Sequence, residues 1–247
     1  MWSKKLKKIL SRKKHRPTIS VLIDPDKFNP EVVILGNKNP YIDIFFVGGS
    51  YLENSNIHQC IRQIKKHTQK PIIIFPGDES QISPLADGIL FLSLVSGRNP
   101  EYLIGKQVKS APIIQKYQLP FLPTAYLLID GNNISTTEKI TRTKALKQNK
   151  KDIYSTCLAA AMIGMQAVYL EAGSGAKKII NPKIVEFIKQ KLELPIIIGG
   201  GISTIQHIEK FISTPADCIV IGNTLEKNPL FLNDIKNYFN GNSAINS

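Results

Sequence analysis

Short apolar runs alternate with longer amphipathic segments along most of this chain. The runs are four to seven residues long and rich in isoleucine and valine, and most are followed within two residues by glycine, proline or aspartate. They lack the alternation of a half-exposed strand, so we predict strands buried on both faces, as in a parallel sheet. The eight predicted strands are Thr18–Ile23, Ile42–Val47, Pro71–Phe75, Gly88–Leu92, Phe121–Leu127, Ala167–Glu171, Pro195–Ile198 and Cys218–Ile221.

Apolar residues at helical spacing predict helices between most of these strands. The segment 132–143 is polar and is interpreted as a connection, and the stretch Glu79–Asp87 is too short for a full crossover helix. The predicted helices are Ser55–Lys66, a longer one that opens at 96–100 and continues through Tyr117, Ile153–Met165, Pro182–Lys191, Thr204–Phe211 and Pro229–Phe239.

Eight strands separated mostly by helices in 247 residues predict a single-domain (β/α)8 barrel, an α/β fold. We place a basic segment at residues 1–16 and the barrel at residues 17–247. The alternative is an open, doubly wound sheet, which usually has fewer strands and one dominant glycine turn.

Three successive strands near the C-terminus end in glycine-rich backbone. These turns are Ala172–Gly175, Gly199–Gly201 and Gly222–Asn223. Unpaired N–H groups in a turn before a helix suit a phosphate, and the C-terminal ends of barrel strands form the usual active-site rim. A single glycine turn is equally consistent with an ordinary turn before a helix, but three in succession predict a phosphate site.

Acidic and hydroxyl side chains end other strands. Glu171 ends the sixth strand and Tyr169 points to the same side, so both should face the rim, where Glu171 is suited to hold a substrate hydroxyl. Asp24 and Ser50 end the first two strands, and together they are suited to Mg2+, which takes few protein ligands. The alternatives are a glutamate paired with a lysine, and an Asp-Pro turn without a metal.

Composition and charge narrow the function classes. The hydrophobic content of 43% is ample for a core, and three widely separated cysteines favour a reducing cytoplasm. The formal net charge is +13, and eight basic residues without an acid lie in Met1–Arg16. Trp2, Leu6, Ile9 and Leu10 would form an apolar stripe on a helix there.

Three interpretations of the basic start remain open. The first is a helix that packs its apolar residues on the barrel, and the second is docking on the inner membrane surface. The third is a nucleic-acid-binding protein, which the lack of interleaved aromatics disfavours. We see no signal peptide and no membrane span.

Five motifs, in order along about residues 18–230, resemble the geranylgeranylglyceryl phosphate synthase family, which includes heptaprenylglyceryl phosphate synthases. The basic start lies outside this resemblance. Some members carry a lysine where this chain has Leu22, and Lys27 need not replace it. The motifs are Leu22–Lys27, Phe46–Ser50, Tyr169–Ala176, Gly199–Ile202 and Ile221–Asn223.

The resemblance implies a (β/α)8 barrel with a degenerate third helix and a Mg2+-dependent prenyltransferase. It would join a polyprenyl diphosphate, with geranylgeranyl favoured, to the sn-3 hydroxyl of sn-glycerol 1-phosphate and release diphosphate. It also implies a homo-oligomer, either a dimer or a hexamer. Carried over by motif, Asp24 and Ser50 hold the metal, and the glycerol phosphate site comprises Tyr169, Leu170, Glu171, Ala172, Gly173, Ser174, Gly175, Gly200, Gly201, Gly222 and Asn223.

In this interpretation Asp24 and Glu171 are the catalytic residues, and Phe91, Tyr102 and Tyr126 are candidates for the tail groove. The alternative enzyme is another phosphate-binding barrel, an isomerase or a lyase. Such enzymes usually need a lysine or paired acids at several strand ends, and no lysine ends strands five to eight.

Overall fold

The computed structural model describes residues 2–13, 15–54 and 56–243. Eight parallel strands close into a barrel in chain order, with the last strand paired to the first. This confirms the predicted fold. The strands are β1 Thr18–Ile23, β2 Ile44–Val47, β3 Ile72–Ile74, β4 Gly88–Leu94, β5 Phe121–Leu128, β6 Ala167–Glu171, β7 Ile196–Gly199 and β8 Cys218–Ile221.

Ten helices accompany these strands in the described part of the chain. Lys14 of the basic start and Ser55, the predicted first residue of the second helix, lie outside the described residues. The helices are α1 Trp2–Leu10, α2 Pro30–Lys38, α3 Ile57–Lys65, α4 Lys106–Lys116, α5 Thr136–Thr141, α6 Lys150–Met162, α7 Pro182–Lys189, α8 Ile205–Ile212, α9 Asn223–Lys227 and α10 Phe231–Ser243.

The apolar strands are buried on both faces, as predicted. Along β2, Ile44 and Phe46 point into the barrel, whereas Phe45 and Val47 pack in the outer layer against the helices. Alternate residues therefore serve two cores, which explains why the runs show no polar–apolar alternation.

Some sequence predictions were wrong. Helices α2, α5 and α9 were missed, and α5 lies inside the segment that was interpreted as a polar connection. The long helix expected through Tyr117 is a π-helical segment, Glu101–Gly105, followed by α4. After β3 there is only a 3-10 turn, Glu79–Gln81, in agreement with the expected degenerate third helix.

Helix α1 closes the end of the barrel where the strands begin. Its Leu6 and Leu10 are fully buried among the interior side chains. Just after α1, Arg12 donates hydrogen bonds to the carbonyl oxygens of Ile212 (2.8 Å) and Thr214 (2.7 Å), before β8. The apolar side of α1 thus packs on the barrel, which was the first of the three interpretations. The domain boundary at residue 16 stays a prediction.

Within the described residues, no helix has the length and apolar character needed to cross a bilayer.

Candidate functional site

A cavity of about 1000 Å³ opens at the rim where the strands end. Most of the residues predicted for the site line it, from five different strand ends. Leu170 and Ala172 do not, because their side chains pack in the outer core, and Gly173 is not part of the lining. The predicted residues that line the cavity are Asp24, Ser50, Tyr169, Glu171, Ser174, Gly175, Gly200, Gly201, Gly222 and Asn223.

The glycine turns after β6 and β7 require glycine for conformational reasons. Gly173, Gly175, Gly200 and Gly201 have φ angles of 99°, 68°, 84° and 71°, a region that side chains disfavour. A hydrogen bond of 3.0 Å from the Ser174 hydroxyl to the Asn223 side chain joins the first turn to the third. The three turns thus lie together along one side of the cavity.

Glu171 is a buried carboxylate on this side of the cavity. One of its oxygens, Oε1, accepts the N–H of Gly173 at 2.7 Å. Burial raises the pKa of the Glu171 carboxyl to about 7, although the Gly173 N–H acts in the opposite direction. At neutral pH this side chain therefore exists in both protonation states, as a general base requires.

Tyr169 stands beside Glu171. A Cβ added to Gly199 would contact both the Tyr169 hydroxyl and Glu171 Oε2, so the two groups flank the same glycine. The hydroxyl is buried and interacts with the Glu171 carboxyl, whose pKa it lowers, but it forms no hydrogen bond of normal geometry with a described residue. Burial raises its pKa well above the ordinary value, so it stays a neutral donor. A buried hydroxyl at the cavity wall without a hydrogen bond of normal geometry is suited to donate to a substrate oxygen.

Asp24 lies across the cavity, at the end of β1. Its Oδ1 accepts the N–H of Asp26 at 3.1 Å, and a Cβ on Gly49 would lie 3.3 Å from that oxygen. Lys27 Nζ lies 3.5 Å from Asp24 and 3.1 Å from Glu226. Burial raises the pKa of the Asp24 carboxyl, while the Asp26 N–H and the Lys27 charge limit the shift.

Two members of this group were not predicted from the sequence. Glu226 lies on α9, three residues after the predicted Asn223, and holds Lys27 in the cavity. Thr137 of α5 shares a hydrogen bond of 3.2 Å between hydroxyls with the predicted Ser50. Glu226 could have been predicted, because a helix that begins directly after the last glycine turn places its first-turn side chains at the rim. Nothing in the sequence pairs Ser50 with Thr137.

A second, narrower cavity of about 100 Å³ adjoins the first. It runs between β4 and α4, beside the place where the third helix is reduced to a turn. Phe91, Tyr102 and Tyr126, the candidates for a tail groove, all line it. The residues shared by both cavities are Gly49, Ser50, Phe75, Tyr126, Thr137 and Ile140.

Comparison with known proteins agrees with this geometry. A protein of Flavobacterium johnsoniae named geranylgeranylglyceryl phosphate synthase is 44% identical over 90% of this chain and 94% of its own length. One of the same name from Korarchaeum cryptofilum is 34% identical over 87% and 90%.

A crystal structure of (S)-3-O-geranylgeranylglyceryl phosphate synthase from Thermoplasma acidophilum, in complex with the substrate sn-glycerol-1-phosphate, superposes with a TM-score of 0.82. It is 32% identical, with 92% of both chains covered. The sequence profile of the PcrB family matches residues 10–239. The chain therefore belongs to the PcrB family.

Proposed function

We propose that this chain transfers a polyprenyl group, with geranylgeranyl favoured, from its diphosphate to the sn-3 hydroxyl of sn-glycerol 1-phosphate. One observation carries the proposal: a polar cavity walled by glycine turns adjoins an apolar cavity, and the two share lining residues. A phosphate-bearing acceptor and a long apolar donor can thus meet at one point. The relatives' shared name and the glycerol phosphate bound in the Thermoplasma protein support this pairing.

The glycerol phosphate would lie against the three glycine turns, with its hydroxyl directed at Glu171. Backbone N–H groups bind the phosphate there without a charged side chain. The carboxylate, with a pKa of about 7, accepts the proton of the attacking hydroxyl. Tyr169, beside Glu171, donates its hydroxyl to a glycerol oxygen. Binding in this position makes the attack effectively unimolecular.

The residues at the end of β1 fit a Mg2+ ion shared with the donor diphosphate. Mg2+ is usually held by one or two carboxylates together with substrate phosphates and water. Asp24 offers such a carboxylate, beside the space that a side chain on Gly49 would fill. The described residues contain no cluster of three metal-binding side chains, so an ion here would need substrate oxygens and water as its remaining ligands. When bound, it would neutralise the departing diphosphate.

The chain's own residues account for the remaining steps. Lys27 supplies a cation beside Asp24, and Ser50 supplies a hydroxyl at the junction of the two cavities. The bond from the allylic carbon to the diphosphate oxygen breaks, and the glycerol oxygen forms the new ether bond. The prenyl tail would fill the apolar cavity, which is lined by Phe91, Tyr102 and Tyr126. Water would thereby be excluded from the allylic carbon at the end of the tail.

The rival functions lack comparable support. A barrel isomerase or lyase would not need the apolar cavity beside the phosphate turns. A nucleic-acid-binding protein would use the basic α1, which has no aromatic residues interleaved with its lysines.

The test is transfer from labelled farnesyl, geranylgeranyl and heptaprenyl diphosphate to sn-glycerol 1-phosphate with Mg2+, with sn-glycerol 3-phosphate as the control acceptor. We expect an ether product with the first acceptor, most from geranylgeranyl diphosphate. Absence of product with all three donors would refute the function. Asp24→Asn should lose most transfer while keeping glycerol phosphate affinity, and Asp152→Asn, an exposed acid on α6, should match the wild type. Wild-type transfer by Asp24→Asn would refute the metal role.

Two further properties implied by the resemblance stay predictions. A homo-oligomer, dimer or hexamer, agrees with the exposed apolar Met162 and Ile163 at the end of α6, and sedimentation velocity measures it. Cytoplasmic location, with contact at the inner membrane surface, is tested by cell fractionation.

A further inference from the structure

We propose that residues 134–144, hereafter the α5 segment, dock on an anionic lipid bilayer, so that a polyprenyl diphosphate passes from the membrane into the apolar cavity. The proposal rests on the proposed function for its purpose, since the donor is an amphiphile that partitions into lipid. Its physical basis is the position, the exposed apolar side chains and the charge of this segment.

The inner side of the α5 segment is part of the site. Thr137 and Ile140 line both cavities, so α5 lies over their junction. The Tyr102 hydroxyl donates to the carbonyl oxygen of Ile140 at 3.3 Å, and the Asn99 side chain donates to that of Thr141 at 3.4 Å. Whatever contacts the outer side of α5 therefore lies at the mouth of the apolar cavity.

The outer side of this segment exposes large apolar side chains. Ile134 is 71% exposed and Ile140 is 39% exposed, although Ile140 also lines the cavities. Across the mouth, Tyr51 is 60% exposed and lines the larger cavity. Single exposed apolar residues are ordinary on a surface, but Ile140 lines both cavities, Tyr51 lines the larger one and Ile134 lies on the same segment as Ile140, so together they indicate an interaction site.

Cations accompany these apolar residues. Lys139, Arg142 and Lys144 are exposed, and none of them forms an ion pair with another described residue. The acid of the segment, Glu138, is directed inward and accepts the N–H groups of Ser135 (2.9 Å) and Ala145 (3.1 Å). The outer face is therefore apolar and positively charged, as at protein surfaces that bind anionic lipid.

A substitution at Arg142 can remove a positive charge without lowering the stability of the folded protein. Its φ of 51° lies in the left-handed region, where a helix end normally carries glycine or asparagine. Replacement with glycine removes the charge and relieves the backbone, so Arg142→Gly should not lower the thermal midpoint.

The rival membrane surface is the basic helix α1, at the opposite end of the barrel. Its Leu6 and Leu10 are buried among the interior side chains and are not available to lipid. A five-residue strand spans about 16 Å, so α1 lies farther from α5 than the Debye length of about 10 Å at 0.1 M salt. Docking through α1 would direct the cavity mouth away from the bilayer.

The chain contains one tryptophan, Trp2, on α1, and it provides an internal probe of that rival. The experiment compares the wild type with a Trp2→Phe, Ile134→Trp protein. Both are mixed with vesicles of phosphatidylcholine with brominated acyl chains and phosphatidylglycerol. We expect the bromines to quench the indole at position 134 and not that of Trp2. Quenching of Trp2 alone, or no vesicle binding by either protein, would overturn the proposal.

A matched pair of charge variants tests the same surface by co-sedimentation with these vesicles. Arg142→Gly with Lys144→Gln should weaken binding about thirty-fold, because each basic residue at an anionic surface contributes about 1 kcal/mol. Lys4→Gln with Lys5→Gln on α1 removes the same charge and should change binding by about twofold or less. Equal losses would overturn the proposal.

Two further outcomes keep the inference apart from the proposed function. If the α5 variant bound vesicles normally but bound soluble farnesyl diphosphate weakly, the cations would serve the substrate and the proposal would be wrong. If vesicle docking occurred as described but the protein transferred no prenyl group from detergent solution, the proposed function alone would fail.

Discussion

Replacing Glu171 with glutamine should stabilise the folded protein at neutral and alkaline pH while it removes prenyl transfer. The Glu171 carboxyl is buried, and the backbone N–H of Gly173 is its hydrogen-bond donor. Glutamine keeps the shape and can still accept that hydrogen bond, but it cannot ionise. The substitution therefore isolates the free energy of holding a buried negative charge.

The magnitude follows from the pKa of the Glu171 carboxyl, which burial raises from 4.5 to about 7. This difference in pKa corresponds to about 3 kcal/mol, because each tenfold change in proton affinity is about 1.36 kcal/mol. Because the folded state holds this proton more tightly than the unfolded chain, stability falls as pH rises from about 4.5 to about 7. Above that window the wild type bears the full penalty, and the glutamine variant bears none.

Urea unfolding at a series of pH values measures this difference. The free energy of unfolding of Glu171→Gln minus that of the wild type should be small near pH 4.5 and rise to about 3 kcal/mol by about pH 8. Glu186→Gln, at an exposed position on α7, is the matched control and should show a flat difference. A flat difference for Glu171→Gln as well would refute a raised pKa at this carboxyl.

The same variant tests the role of Glu171 as a base. Wild-type turnover should rise with pH through about 7, as the carboxylate becomes ionised, and Glu171→Gln should lose turnover more than glycerol phosphate affinity. If binding falls and turnover at saturation does not, Glu171 positions the substrate and does not accept its proton.

Three other substitutions probe separate parts of the structure. Gly200→Ala should destabilise the protein by about 1–3 kcal/mol and weaken glycerol phosphate binding measured by calorimetry, because φ is 84° and the new methyl would press on Glu171 Oε1. Leu6→Ala should lower the free energy of unfolding by about 2–5 kcal/mol without changing either KM, since its side chain fills the closed end of the barrel. Glu226→Gln should lower the KM for the polyprenyl diphosphate, because it removes a negative charge from the cavity and frees Lys27 from one of its two anionic partners.

The sequence predicts the strands well because their signal is local. The bounds of β1, β6 and β8 are as predicted, because the aspartate or glycine that follows each apolar run marks the end of the strand. Helix α2 was missed because its apolar residues are consecutive and hide the helical period, although Asn29 and Pro30 mark its start. Helix α5 has only six residues, too few to show a helical period, and its sequence signal is the capping box of Ser135 and Glu138.

The site was predictable only as far as strand ends determine it. In a parallel barrel all strand ends meet at one rim, so Asp24, Ser50 and Glu171 had to lie around the same cavity. The ion pair of Lys27 with Glu226 depends on the closure of β8 against β1, which joins residues far apart in sequence. Such pairs follow from the closed geometry and have no local signature.

The glycine turn after β7 has two roles that the sequence pattern does not separate. Glycine at 200 allows the left-handed backbone that turns N–H groups toward a phosphate, and glycine at 199 and 200 also leaves room for Glu171 and Tyr169. Any side chain there would displace the buried carboxylate as well as narrow the turn. The base and the phosphate turn are thus packed against one another, so a side chain added at either glycine should alter binding and turnover together, whereas Glu171→Gln, which keeps the shape of the base, should lower mainly turnover.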